Sequence, residues 1–242
     1  MVSKNQIKLI TSLHQKKQRI ATKLFIAEGV KVIQELLQSN FVLQHLYTIE
    51  NIFTAIQPAQ KTFVTEQDLK KITALSTASS SLAVFKIPSE NEIETSGLIV
   101  ALDDIRDPGN LGTIIRLCDW FGISQIVCSK ETADLYNPKV VQATMGSISR
   151  VNVNYIDLNE YISKSKLPVF GTFMDGKNVY NEKLPKEGIL VLGNEANGIS
   201  KDLEKIISSR IAIPRFGTVQ KTESLNVAAA TAIFLSEFIR NS

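Results

Sequence analysis

Leu98-Ile99-Val100-Ala101-Leu102, followed by Asp103-Asp104-Ile105-Arg106-Asp107-Pro108-Gly109-Asn110-Leu111-Gly112, is the stretch whose reading decides the fold. Five apolar residues in a row, with no polar alternate, describe a strand buried on both faces, as in the interior of a parallel sheet. The ten residues after them hold acids, a proline and two glycines, which read as a turn, and 111–121 then reads as a helix. The same order recurs downstream. Apolar strands are predicted at 125–128, 168–173, 189–192 and 210–213, with helical segments at 138–145, 158–163 and 201–207 and a last helix over about 225–240. Strands alternating with helices predict a mostly parallel sheet covered on both sides.

Upstream lies a smaller α/β unit. It has a weak helix at 7–13, a strand at 24–27, and a helix opened by Gly29 that carries Val30, Val32, Ile33 and Leu36. Strands follow at 41–49 and 61–64. Thr65 with Asp68 then makes a capping-box start for a helix holding Leu69 and Ile72, and a strand at 82–87 closes the unit. Residues 88–97, Pro-Ser-Glu-Asn-Glu-Ile-Glu-Thr-Ser-Gly, are polar and acidic and read as an interdomain linker. The expected division is a first domain over 1–92 and a second over 97–242.

Composition bounds the function only loosely. The 242 residues are 44% hydrophobic and 21% charged, an ordinary globular balance. A net charge of +3 does not by itself point to nucleic acid. Its distribution says more: Lys4, Lys8, Lys16, Lys17, Arg19 and Lys23 all precede the first acid, Glu28. Such a start either meets a phosphate backbone or is a solvated helix surface. Cys118 and Cys128 are isolated packing residues suited to a reducing cytosol. Residues 1–9 lack an apolar export segment and no apolar run has spanning length, so a cytoplasmic protein without a membrane partner is expected.

Three segments depart from plain strand–helix joints, each just after an apolar strand, where ligands bind in such sheets. In the first, Gly109 and Gly112 permit a tight turn; Asn110 reads as a helix cap, and Arg116 points back toward it or lies on the surface. In the second, Gly193 and Gly198 bracket Glu195, giving either a directed acceptor or an exposed acid in a glycine turn. In the third, Pro214 ends a strand, Ser224 reads as the cap of the final helix, and Asn226 sits in its first turn. There is no G-x-G-x-x-G after a strand, no phosphate-binding P-loop and no zinc spacing. The two histidines, His14 and His45, both fall in the first unit, which leaves a serine hydrolase in the second without a base.

Together the three segments resemble the signature motifs of the SpoU, or TrmH, family of RNA 2′-O-ribose methyltransferases. Asn110-x-Gly112-x-x-x-Arg116, Leu192-Gly193-x-Glu195-x-x-Gly198, and Ile213-Pro214 followed by Ser224-Leu225-Asn226-Val227 agree with them in order and spacing. Phe25-Ile26-Ala27-Glu28-Gly29-Val30 also resembles the opening of the substrate-binding domain often attached to this family. Two departures stand out. Residues 218–223 lengthen the loop before Ser224, which bears on mobility and substrate choice. Ser79-Ser80-Ser81 stands where relatives often carry a proline-containing turn.

The resemblance implies a SPOUT-type α/β fold, a C-terminal parallel sheet with a deep trefoil knot, preceded by a small α/β RNA-binding domain. It implies a homodimer through the C-terminal domain and an RNA substrate, ribosomal RNA ahead of transfer RNA. The implied cofactor is S-adenosylmethionine, contacted by Thr172, Gly193, Ile213 and Leu225. Arg116 corresponds to the family's catalytic arginine, assigned as the base that deprotonates the ribose 2′-hydroxyl. A guanidinium with a pKa above about 12 is also suited to gripping a phosphate and stabilising the developing alkoxide. Asn110, Glu195, Ser224 and Asn226 are the implied catalytic companions that orient Arg116 and the ribose. The competing readings are a non-catalytic RNA-binding protein of the same fold and a nucleotide-dependent oxidoreductase.

Overall fold

The computed structural model describes residues 2–217 and 224–240, so the lengthened loop at 218–223 lies outside the described residues. The chain forms two compact units that are not continuous in sequence. One comprises Met1–Glu90 with Asp134–Ser149, the other Asn91–Ala133 with Arg150–Ser242.

In the first unit the elements run α1 (Lys4–Ser12), α2 (Lys16–Thr22), β1 (Leu24–Glu28), α3 (Val30–Leu37), β2 (Leu43–Thr48), β3 (Lys61–Phe63), α4 (Glu66–Ile72) and β4 (Ser81–Lys86). The strands form a sheet in the order β1-β4-β2-β3, antiparallel except for the parallel β2–β3 pair. Thr65 caps α4 through the expected box, accepting from the Asp68 N–H while the Asp68 carboxylate accepts from Thr65. Ile10, Ile26, Leu69, Ile72 and Leu82 form one core cluster.

Arg19 corrects the reading of the basic N-terminal stretch. It is 2% exposed, where a phosphate contact would need an accessible head. Its guanidinium donates to the Leu13 and His14 carbonyls at 2.8 and 2.9 Å and pairs with Asp134. Lys4, Lys8, Lys16, Lys17 and Lys23 are exposed. α2 itself was not foreseen, because Lys16-Lys17-Gln18-Arg19 has no apolar stripe to announce it.

The second unit contains β5 (Leu98–Leu102), α5 (Pro108–Trp120) and β6 (Gln125–Cys128). The chain then gives α6 (Pro138–Thr144), which belongs to the first unit and packs on β1 there. The second unit resumes with β7 (Asn152–Tyr155), α7 (Leu158–Lys164), β8 (Val169–Asn178), β9 (Gly188–Leu192), α8 (Lys201–Glu204), β10 (Ser209–Ala212) and α9 (Val227–Arg240). Six strands pair in the order β10-β8-β9-β5-β6-β7, every pair parallel, as the apolar runs predict. Ile99, Ala101, Ile189 and Val191 join the core with α7 and α8 residues. Val100, Leu102, Leu190 and Leu192, on the other face, are buried as well. Cys118 and Cys128 are free and buried, and burial pushes both thiols well up. Among the described residues no helix is long and apolar enough to cross a membrane.

Candidate active site

The strand order reverses direction at β5 and β9: β5 leads to β6 on one side, while β9 has β8 on the other. In open parallel sheets the crevice at such a point, beyond the carboxyl ends of the strands, receives ligands. Here the loops after β5 and β9 are tied to each other. The Asp103 N–H donates to Leu192 O at 2.9 Å, the Asp103 carboxylate accepts the Ser200 N–H at 2.7 Å, and Asn194 Nδ2 donates to Asp104 O at 2.8 Å. Asp104 adopts a left-handed backbone at φ +59°, which Asp tolerates better than most residues.

The β9 loop is itself a closed turn. Asn194 and Gly198 exchange both backbone hydrogen bonds, and Asn194 Oδ1 accepts from the Ala196 and Asn197 N–H groups. Gly193 sits so close to this turn that a Cβ there would fall 2.2 Å from Gly198 C and Ile199 N. Sequence reasoning missed Asp103 and Asn194. Their only signal was an acid and an amide at two strand ends.

The three predicted segments meet through side chains. Asn110 Nδ2 donates to Glu195 Oε1 at 2.7 Å, and Asn226 Nδ2 donates to Asn110 Oδ1 at 3.0 Å. Two cap assignments are corrected by this geometry. α5 begins at Pro108, and its cap is Asp107, whose carboxylate accepts the Asn110 N–H at 2.8 Å. That frees the Asn110 side chain to reach across. α9 begins at Val227, and Asn226 rather than Ser224 caps it, its Oδ1 accepting from the Ala228 and Ala229 N–H groups. Ser224 is two residues too early for that role.

Arg116 projects from α5 and is exposed; none of Asn110, Glu195, Ser224 or Asn226 makes a hydrogen bond to it among those described. The structure therefore joins three of the five predicted catalytic residues directly and leaves Arg116 and Ser224 outside that chain.

Next to the trio is a cavity of about 370 Å³ lined by Thr172, Gly193, Ile213, Ser224 and Leu225 together with Phe173, Phe216 and Phe234. All four predicted cofactor contacts line it. Its volume suits a small organic ligand, and its walls are mostly apolar with few polar groups. Thr172 donates to Val191 O at 3.2 Å, fixing β8 to β9 beside the cavity. Behind Phe173 the Arg210 guanidinium lies 3.5 Å from the ring centroid. It also bonds Asp175, whose carboxyl it holds below the usual carboxylate range, and Glu204.

Comparison with known proteins gives a consistent result. Residues 97–236 match the SpoU rRNA Methylase family, and residues 4–83 match the MRM3-like substrate binding domain. The chain is 30% identical over 241 residues to the 23S rRNA (guanosine(2553)-2′-O)-methyltransferase RlmP of Bacillus subtilis, covering 96% of each. Among solved structures it resembles an RNA methyltransferase of the TrmH family from Porphyromonas gingivalis, at 39% identity and TM-score 0.89 with both chains covered in full. It also resembles an AdoMet-bound rRNA methyltransferase from Sinorhizobium meliloti, at 30% identity and TM-score 0.85, over 99% of this chain and 97% of that one.

Proposed function

The chain belongs to the SpoU rRNA methylase family, and from that premise we propose that it methylates a ribose 2′-hydroxyl in structured RNA using S-adenosylmethionine. Ribosomal RNA is the proposed substrate, ahead of transfer RNA, since the relative matched end to end is named for 23S rRNA. The observation that carries this reading is the hydrogen-bonded chain Glu195–Asn110–Asn226 beside the cavity.

The residues present fit the cofactor. A Cβ at Gly193 would strike the backbone of Gly198 and Ile199, so glycine there lets the β9 turn close tightly on itself in the cavity wall. Thr172, Gly193, Ile213 and Leu225 would hold it, largely through backbone and shape. S-Adenosylmethionine supplies, when bound, an electrophilic methyl group that needs no further activation. The protein's tasks are then to align the ribose hydroxyl and to favour loss of its proton. Glu195, which accepts from Asn110, would accept a hydrogen bond from ribose. Arg116, exposed on α5, is the proposed catalytic arginine. It is free to fold onto a substrate phosphate and to stabilise negative charge developing on the 2′-oxygen.

The proposed fold detail is a deep trefoil knot in the second unit. It is supported by α9, which follows the edge strand β10 in sequence yet packs on α5, the helix that follows the interior strand β5. The proposed assembly is a homodimer through this unit. α5 and α9 carry Trp120 at 83% and Ile239 at 41% exposure, apolar surface that a symmetric partner would cover. The proposed setting is the cytoplasm, and the proposed division of labour keeps RNA delivery with residues 1–92 and chemistry with 97–242. Mapping 2′-O-methylation across total RNA from cells with and without the gene tests the whole reading. A ribosomal position losing its methyl group is expected; an unchanged map overturns it.

A further inference from the structure

Four large apolar side chains, Met174, Tyr180, Phe216 and Leu225, are exposed around the mouth of the same cavity. Phe216 is the extreme case at 82%. Its ring stacks with that of Tyr180 at 6.4 Å between centroids and 27° between planes. Phe216 lines the cavity and Tyr180 does not, so the pair extends outward from the rim.

Tyr180 is held from below. It belongs to the 3₁₀ turn Val179–Asn181, where its N–H donates to Asn178 Oδ1 at 3.0 Å and Val179 is fully buried. The turn packs on α9. Phe216 follows Pro214, whose ring restricts the backbone leading to it. Arg215, between them, lines both the cofactor cavity and a neighbouring one of about 390 Å³ that also contains Asp175 and Asn178.

We propose that Phe216 and Tyr180 form a stacking platform for an unpaired nucleobase of the RNA, holding the nucleotide whose ribose, or whose neighbour's ribose, enters the cavity. The inference rests on the methyl-transfer reading above. A ribose hydroxyl delivered to the cavity brings a base to its rim, and exposed aromatic planes recognise unstacked bases without demanding one sequence. A ligand inside the cavity meets Phe216 alone, so the outward-facing pair is matched to the RNA rather than to the cofactor. A base within a duplex could not reach the platform, so the substrate class is a loop or bulge nucleotide.

The test uses the full chain, a 23S ribosomal RNA transcript and S-adenosylmethionine with a labelled methyl group. RNA binding is measured separately with S-adenosylhomocysteine present, and cofactor affinity by calorimetry. Phe216→Leu and Tyr180→Leu keep apolar bulk and lose the aromatic face; each is expected to weaken transcript binding and raise the RNA KM by about tenfold. Phe216→Trp, which keeps an aromatic face, is expected to hold both near their native values, and Tyr180→Leu, outside the cavity, to leave cofactor affinity unchanged. Transcript binding by Phe216→Leu or Tyr180→Leu equal to that of the native chain overturns the platform, as does a loss in Tyr180→Leu that falls on cofactor affinity instead. If the native chain binds the transcript and transfers no methyl, the methyl-transfer reading fails. The binding comparison then still decides the platform by the same two outcomes.

Discussion

Asn110 and Glu195, 85 residues apart in the chain, are joined by a 2.7 Å hydrogen bond from the Asn110 amide to the Glu195 carboxylate. The same amide group accepts from Asn226 through its oxygen, so Asn110 is used as donor and acceptor at once. Asn110→Asp keeps the size and loses the donor, setting two carboxylates against each other. It is expected to lower methyl transfer by more than Asn110→Ala, which removes the contact and adds no repulsion. A fall of about ten- to a hundred-fold for the alanine variant matches the loss of one positioned hydrogen bond in a water-excluded complex. Single-turnover methyl incorporation into ribosomal RNA reads the order. An aspartate variant as active as the native chain would remove Asn110 from the mechanism.

Arg116 stands apart from that trio, exposed on α5. Its replacement is therefore expected to spare stability and cofactor binding and to abolish methyl transfer. Arg116→Lys separates two roles. Substantial retained activity shows that positive charge suffices; loss equal to that of Arg116→Ala shows that the planar, bidentate guanidinium is needed. Melting temperature, calorimetry with S-adenosylmethionine and labelled-methyl transfer are measured on all three chains. Near-normal turnover by Arg116→Ala would sink the assignment.

Gly193→Ala tests the cradle. The added Cβ would meet backbone atoms of Gly198 and Ile199 at 2.2 Å, and backbone cannot rotate out of the way as a side-chain end can. The β9 turn must shift, at a cost of about 1–3 kcal/mol as for other overpacked sites. Cofactor affinity is expected to fall with it. A variant that melts as the native chain does and titrates with the same Kd would show that the turn has slack the distances do not suggest.

Much of this was legible from sequence where one residue type has one physical use. The all-apolar runs at 98–102 and 189–192 read as strands buried on both faces, and the strands Leu98–Leu102 and Gly188–Leu192 are buried throughout. Thr65 with Asp68 capped a helix as expected. Reading failed where several residues competed for one job. Asp107 and Asn110, and Ser224 and Asn226, are all good caps within three positions, and only the hydrogen bonds show which one caps and which reaches across. β7 was missed because Asn152-Val153-Asn154-Tyr155 is a polar edge strand without an apolar run. β8 runs to Asn178, past the expected end, through polar residues paired with β10. The grouping of Asp134–Ser149 with the first unit has no local signal at all, since it depends on contacts such as that of Arg19 with Asp134.

That contact separates structural from RNA-binding cations in the N-terminal stretch. Arg19 satisfies two backbone carbonyls and a carboxylate while almost wholly buried. Arg19→Ala leaves those acceptors without their donor, and removing one partner of a buried pair costs about 3–5 kcal/mol. The expected result is a large drop in the denaturation midpoint. Lys4, Lys8, Lys16 and Lys17 are exposed, so changing all four to Ala should barely move stability. If these lysines meet phosphates, the same change should flatten the dependence of RNA affinity on salt, because fewer counterions are released on binding. Filter binding of a 23S ribosomal RNA transcript across a salt series, beside urea denaturation, measures both. A salt slope unchanged by the fourfold variant would return the basic start to a solvated surface and leave RNA delivery to other faces of the first unit.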